Sequence, residues 1–139
     1  MPDFPADFQA AVDDLIDHWE GTKYTETPGD AGGGTKFGIS HTTYPDVDIP
    51  NLTRADAEEI YYRDYWCYPG MDAIPDEALK AKVFNMGVLM GQATALRLVY
   101  ACNNLDEYRQ LCKQHFDAII AKHPQDEKFR HGWERRALA

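Results

Sequence analysis

The chain has 139 residues, 44% of them hydrophobic and 12% aromatic, and carries 23 acidic against 14 basic side chains for a formal net charge of −9. That length suits one domain with a core of its own, and the hydrophobic and aromatic content excludes a disordered chain. The acidic balance excludes a dedicated nucleic-acid binder, whose phosphate contacts need a basic face.

Along the chain, residues 1–22 contain no Lys or Arg and no apolar signal-peptide core. Synthesis in a cytoplasm without a signal peptide is the expectation. No run approaches the ~18 apolar residues of a membrane span. Phe8, Ala11, Val12, Leu15, Ile16 and Trp19 recur at helical spacing and predict a first helix ending near Glu20, with Gly21 as its stop. Asp7, Asp13, Asp14 and Asp17 fall on the other face and read as a solvated surface. Residues 21–52 lose the helical period and hold Gly21, Gly29, Gly32, Gly33, Gly34 and Gly38 with Pro45 and Pro50. This is a long ordered loop with a short hairpin around Lys36 to Ser40, and loops of that length in a small domain are usually functional.

Helices resume at Thr53, where Thr53-Arg54-Ala55-Asp56 has the form of a capping box. That helix runs to about Trp66 and stops before Pro69-Gly70. A central helix begins at Pro75 or Asp76, with Leu79, Val83, Phe84 and Met86 as core and Gly87 and Gly91 as points of close packing or breakage. Two further helices, Gln92 to Cys102 and Leu105 to Lys122, precede Pro124, and a short last one pairs Phe129 with Trp133 as core. The predicted class is mostly α, with a glycine-rich loop or small hairpin after the first helix. Cys67, Cys102 and Cys112 are odd in number and lack C-x-x-C spacing, so buried free thiols are expected rather than disulfides or zinc ligands. The five histidines show no ligand spacing, and no metal or other cofactor is expected.

Chemistry concentrates at Trp19-Glu20-Gly21. A carboxyl at a helix C-terminus meets the negative end of the dipole, and a neighbouring indole desolvates it. Both effects favour the protonated form that a glycosidase's general acid requires. Asp30 lies on the glycine-rich loop ten residues on, and Thr35 fifteen. A second carboxylate facing the first across a cleft would complete the acid/base pair of a glycosidase, and the Thr35 hydroxyl would steady the attacking water. The stretch Gly29 to Lys36 imitates a phosphate loop, but its order is Thr-Lys rather than Lys-Ser/Thr, and it follows a helix rather than a strand. Tyr61, Tyr62, Tyr65, Trp66 and Tyr68 form an aromatic cluster from which Tyr65 and Trp66 are candidate sugar platforms. Asn85, polar on an apolar helix, is a candidate contact to an N-acetyl group.

These residues resemble glycoside hydrolase family 108, the phage and bacterial N-acetylmuramidases with a lysozyme-like, α-rich fold. The resemblance is carried by Trp19-Glu20-Gly21, Pro28 to Gly33, Thr35 to Ser40, Leu52 to Ala57, Ile60 to Trp66, Val83 to Gly87 and Phe129 to Arg136. It implies a single lysozyme-like catalytic domain over residues 1–139. Its activity would be cleavage of the β-1,4 bond between N-acetylmuramic acid and N-acetylglucosamine in peptidoglycan, with Glu20 at the position of the family's catalytic glutamate. The protein would then act at the cell wall or in the periplasm, carried there by holin-dependent release, a phage tail or a secretion device. Family members usually place the aspartate nine residues after the glutamate, and here Lys23 is inserted. That insertion leaves two other readings open: a catalytically weak or inactive lysozyme-like wall-binding or structural module, and a lytic transglycosylase, which needs one acid and no water-activating carboxylate.

Overall fold

The computed structural model describes residues 3–26 and 34–139. Its class is mostly α with a small hairpin after the first helix, as expected of a lysozyme-like chain. The chain divides into two compact units, Met1–Cys67 and Tyr68–Ala139.

In the first unit, α1 (Ala6–Asp14) follows Pro5, and its stripe buries Phe8 and Val12. The helix then widens into a π-helical turn, Leu15–Glu20, which buries Leu15 and Ile16. These four side chains are fully enclosed, each worth about 1.5–3 kcal/mol of burial. The Gly21 N–H donates to the Ile16 carbonyl at 2.8 Å, closing the wide turn. Strands β1 (Thr35–Lys36) and β2 (Ile39–Ser40) form an antiparallel hairpin in which Thr35 faces Ser40. Its two-residue turn places Phe37 at φ 54° and Gly38 at φ 80°, the left-handed pair that a tight type I′ hairpin needs. After a 3₁₀ turn, Ile49–Asn51, helix α2 (Arg54–Tyr61) starts at a capping box with both reciprocal bonds. The Asp56 N–H donates to the Thr53 hydroxyl at 3.1 Å, and the Thr53 N–H donates to the Asp56 carboxylate at 3.3 Å. This helix also ends in a π-helical turn, Tyr62–Trp66, closed by the Cys67 N–H on the Tyr62 carbonyl at 2.9 Å. Cys67 itself is exposed, contrary to the expectation of a buried thiol, because it lies just beyond that turn.

The second unit contains α3 (Glu77–Met90), α4 (Gln92–Val99), α5 (Leu105–Lys122) and α6 (Arg130–Leu138). Asp76 caps α3 by accepting the Leu79 N–H at 2.8 Å, and Asn104 caps α5 by accepting the Glu107 N–H at 2.9 Å. Gly91, at φ 95°, makes the break between α3 and α4, and a Cβ on Gly87 would meet the Gln92 backbone at 3.6 Å, an ordinary van der Waals contact. The core of this unit runs through Val83, Phe84 and Met86 to Tyr108, Cys112, Phe116 and Ile120. Trp133 packs on Phe116 with ring centres 5.1 Å apart and stacks on Phe129 at 5.3 Å. Phe129 remains 44% exposed rather than core, because it precedes α6 on the outer turn Pro124–Phe129.

Candidate active site

The π turn carries Trp19 and Glu20, both half-buried, at the end of the first helix. A π turn holds one residue more than an α turn, so it swings its last side chains off the apolar stripe. Such turns recur at functional sites. Arg54, the first residue of α2, braces this turn from outside. It donates to both Asp17 oxygens at 2.7 and 3.2 Å and to Asp13 at 3.1 Å. The guanidinium holds the Asp17 carboxyl below the usual range. Two members of the acidic face predicted to be solvated are thus tied to a partner on another helix.

The hairpin closes over the Glu20 side chain. A Cβ built on Gly38 would stand 2.7 Å from Glu20 Cγ and 2.9 Å from its Cβ, and would also strike the Tyr61 hydroxyl. The fully buried Tyr61 hydroxyl donates to the Phe37 carbonyl at 2.8 Å. That bond pins the strained Phe37 backbone and seats the turn against the Glu20 side chain. Tyr65, one turn further along α2 and half-buried, lies with its ring centre 5.4 Å from that of Tyr61. Its phenol feels the charge of Glu20. Tyr44 donates to Asp64 Oδ2 at 2.7 Å, and Arg63 clamps Asp64 through two bonds of 2.8 and 3.0 Å. Burial first, then the bond to Asp64, pushes the Tyr44 phenol up. Burial likewise raises Tyr65, with the charges of Asp64 and Glu20 acting in the same direction. Both phenols therefore keep their protons at working pH.

Thr35 sits beside this arrangement on β1, half-buried. It exchanges both backbone bonds with Thr25, each at 2.9 Å, and pairs with Ser40 on its other side. The Thr35-Lys36 pair is strand, not the opening of a helix, which removes the phosphate-loop likeness. Asp30 lies outside the described residues. Trp66 does not join the polar row. It is 4% exposed with its ring edge-on to Phe8 at 5.5 Å, so the predicted sugar platform is part of the core. The physical reason is that the π turn directs Trp66 inward beside the Phe4, Phe8 and Tyr62 rings, each 5.0 Å from the next. Asn85 belongs to the second unit, where it is 8% exposed and its amide oxygen accepts from Arg136 Nε at 2.7 Å. That partner answers the need of a buried Asn for a hydrogen bond. Asn85→Ala is expected to lower stability by about 1.5–3 kcal/mol in thermal melts. The Michaelis constant for soluble glycan strands should stay within about twofold.

Among the described residues no group of three or more His, Cys, Asp or Glu is placed to hold a metal ion. Sequence reasoning missed Gly38, Tyr44, Arg54 and Asp64. The one available signal was the four-residue spacing of Tyr61 and Tyr65, which puts two phenols on one face of a helix.

The profile of the family described as Glycosyl hydrolase 108 matches residues 14–91, more than half of the 139 residues. The match spans the π turn with Glu20, the hairpin, α2 and α3. Helices α4 to α6, including the stretch Phe129 to Arg136, lie beyond it. Comparison with curated proteins and with solved structures finds no match. The matched segment carries Glu20 with the hairpin against its stem, and the chain belongs to glycosyl hydrolase family 108, a family of peptidoglycan hydrolases.

Proposed function

We propose that this family member is an N-acetylmuramidase with Glu20 as its general acid. The observation that carries this reading is the position of Glu20. It ends a π-helical turn inside the family match, with its stem against Gly38 and its charge felt by Tyr65. In the proposed reaction, Glu20 donates its proton to the bridging oxygen as the bond to the anomeric carbon of N-acetylmuramic acid breaks. Asp30, with Thr35, holds the water that attacks that carbon and accepts its proton as the new C–O bond forms, and the charge building on the sugar is the oxocarbenium-like state of glycoside hydrolysis. Tyr65 supplies the aromatic face for a sugar ring, while buried Trp66 supports the helix that presents it. Digestion of purified peptidoglycan tests this. New reducing N-acetylmuramic acid ends, read by mass spectrometry, are the expected product. Anhydro ends would make the protein a transglycosylase, and reducing N-acetylglucosamine ends would place cleavage at the other bond.

No helix among the described residues is long and apolar enough to cross a membrane. We place the enzyme's work at the cell wall, with release or carriage by other proteins, as in an endolysin, bringing it there. A net charge of −9 meets an anionic wall, so the encounter is repulsive and screened by salt. Lysis of wall preparations is therefore expected to speed up several-fold between about 10 mM and 150 mM salt, where the Debye length falls from ~30 to ~8 Å. A basic lysozyme would slow down over the same range.

A further inference from the structure

A single bridge adds Thr25 to the outside of the hairpin, exchanging both backbone bonds with Thr35 at 2.9 Å. Tyr24, the residue before it, is 37% exposed. Its hydroxyl donates to Glu26 Oε1 at 2.6 Å. That bond raises the phenol above its ordinary range, so the proton stays on Tyr24. The hydroxyl end of the same ring lies across Gly34, where a Cβ would overlap it. Gly34 is buried, and its carbonyl accepts the His41 N–H at 3.0 Å. It is not one of the glycines at positive φ, so the Tyr24 ring, and not the backbone, excludes a side chain there. Tyr24 therefore touches Glu26 and Gly34 at once. These two residues stand on either side of the stretch in which the sequence places Asp30, and Gly34 directly precedes Thr35.

We propose that Tyr24 is a positioning residue, a clasp that joins Glu26 to Gly34 and so holds Thr35 where its hydroxyl steadies the attacking water. The proposal rests on the reading of Thr35 as the residue that holds this water with Asp30. In this role Tyr24 meets neither sugar nor water and acts through Gly34 and the backbone of Thr35. The need for a clasp follows from the size of the hairpin. Its strands have two residues each, and so short a hairpin is marginal by its backbone bonds alone. Bringing together the two ends of an intervening stretch also costs chain entropy, which a side chain gripping both ends offsets. A water that attacks the anomeric carbon must be held in line with it, and a small displacement of its holder costs rate rather than affinity.

The test measures kcat and KM separately on soluble, uncrosslinked glycan strands, with rates counted per folded molecule by circular dichroism. Tyr24→Ala removes both contacts and is expected to lose about tenfold in kcat, with KM within about twofold. Tyr24→Phe keeps the ring on Gly34 but loses the bond to Glu26, and about threefold in kcat is expected, the scale of one modest hydrogen bond. Glu26→Gln, which keeps an acceptor oxygen for the phenol, should lose less than Glu26→Ala. Gly34→Ala should lose kcat on its own yet add no further loss to Tyr24→Ala, because the ring that excludes the methyl is then gone. Should Tyr24→Ala fold poorly, Tyr24→Phe and the two Glu26 variants decide. Thr35→Val separates the clasp from the reading beneath it. A loss of kcat in Thr35→Val with unchanged kcat in the Tyr24 and Glu26 variants overturns the clasp alone. Unchanged kcat in Thr35→Val overturns the reading of Thr35 and the clasp together. A loss confined to KM in the Tyr24 variants also overturns the clasp, since it would mark a sugar contact rather than a positioning role.

Discussion

Glu20→Gln is expected to abolish measurable peptidoglycan cleavage, lowering turnover by about 10²–10⁴, with little change in melting temperature. The substitution keeps the shape of the side chain and its contact with Gly38 but removes the transferable proton. The small stability effect is expected because the amide keeps the size and hydrogen-bonding shape of the carboxyl. The turn is held by backbone bonding of Gly21 to Ile16 and by Arg54 on Asp17, neither of which involves the Glu20 carboxyl. A large drop in melting temperature would instead mean that the carboxyl is a structural linchpin, and the activity loss would then say nothing about proton donation.

Gly38→Ala is expected to be the most damaging single-methyl change in the first unit. Two effects add. The residue sits at φ 80°, where a side chain costs roughly 1–2 kcal/mol. The new methyl also overlaps the Tyr61 hydroxyl and stands 2.7 Å from Glu20 Cγ, and overpacking of this kind costs about 1–3 kcal/mol. The sum, about 2–5 kcal/mol, is a large share of the ~5–15 kcal/mol that holds a domain folded. Melting should fall by about 10–20 °C, and turnover per folded molecule should fall too, because relief of the clash displaces the acid or breaks the Tyr61 bond to Phe37. Gly91→Ala is the control. Its φ of 95° carries similar strain, but nothing lies within 4 Å of its Cβ, so about 1–2 kcal/mol is expected without a change in turnover per folded molecule. Equal losses at the two glycines would remove the argument from close packing.

The helices were legible because each carries its own punctuation. Thr53 and Asp56 make both bonds of the predicted capping box, Asp76 caps α3, and Gly91 breaks the chain where the pattern weakens. The hairpin was legible from loss of helical period and a glycine. The two π turns were not, since an N–H bonding five residues back leaves no trace in hydrophobic spacing that a normal helix would not also leave. The site was half legible for a related reason. Glu20 stands out by its place at a helix end, but the groups around it arrive from far along the chain. Tyr44 reaches Asp64 across 20 positions and Arg54 reaches Asp17 across 37. Trp66 and Asn85 are the opposite case. Their residue types suit sugar binding, but their burial and their partners Phe8 and Arg136 do not follow from composition.

The measurement that bears most directly on the account is a paired digest of purified peptidoglycan by wild type and Glu20→Gln, matched for folded protein, with the new glycan ends identified by mass spectrometry. The account predicts reducing N-acetylmuramic acid ends from the wild type and none above background from the variant. The same ends at the same rate from both proteins would contradict it.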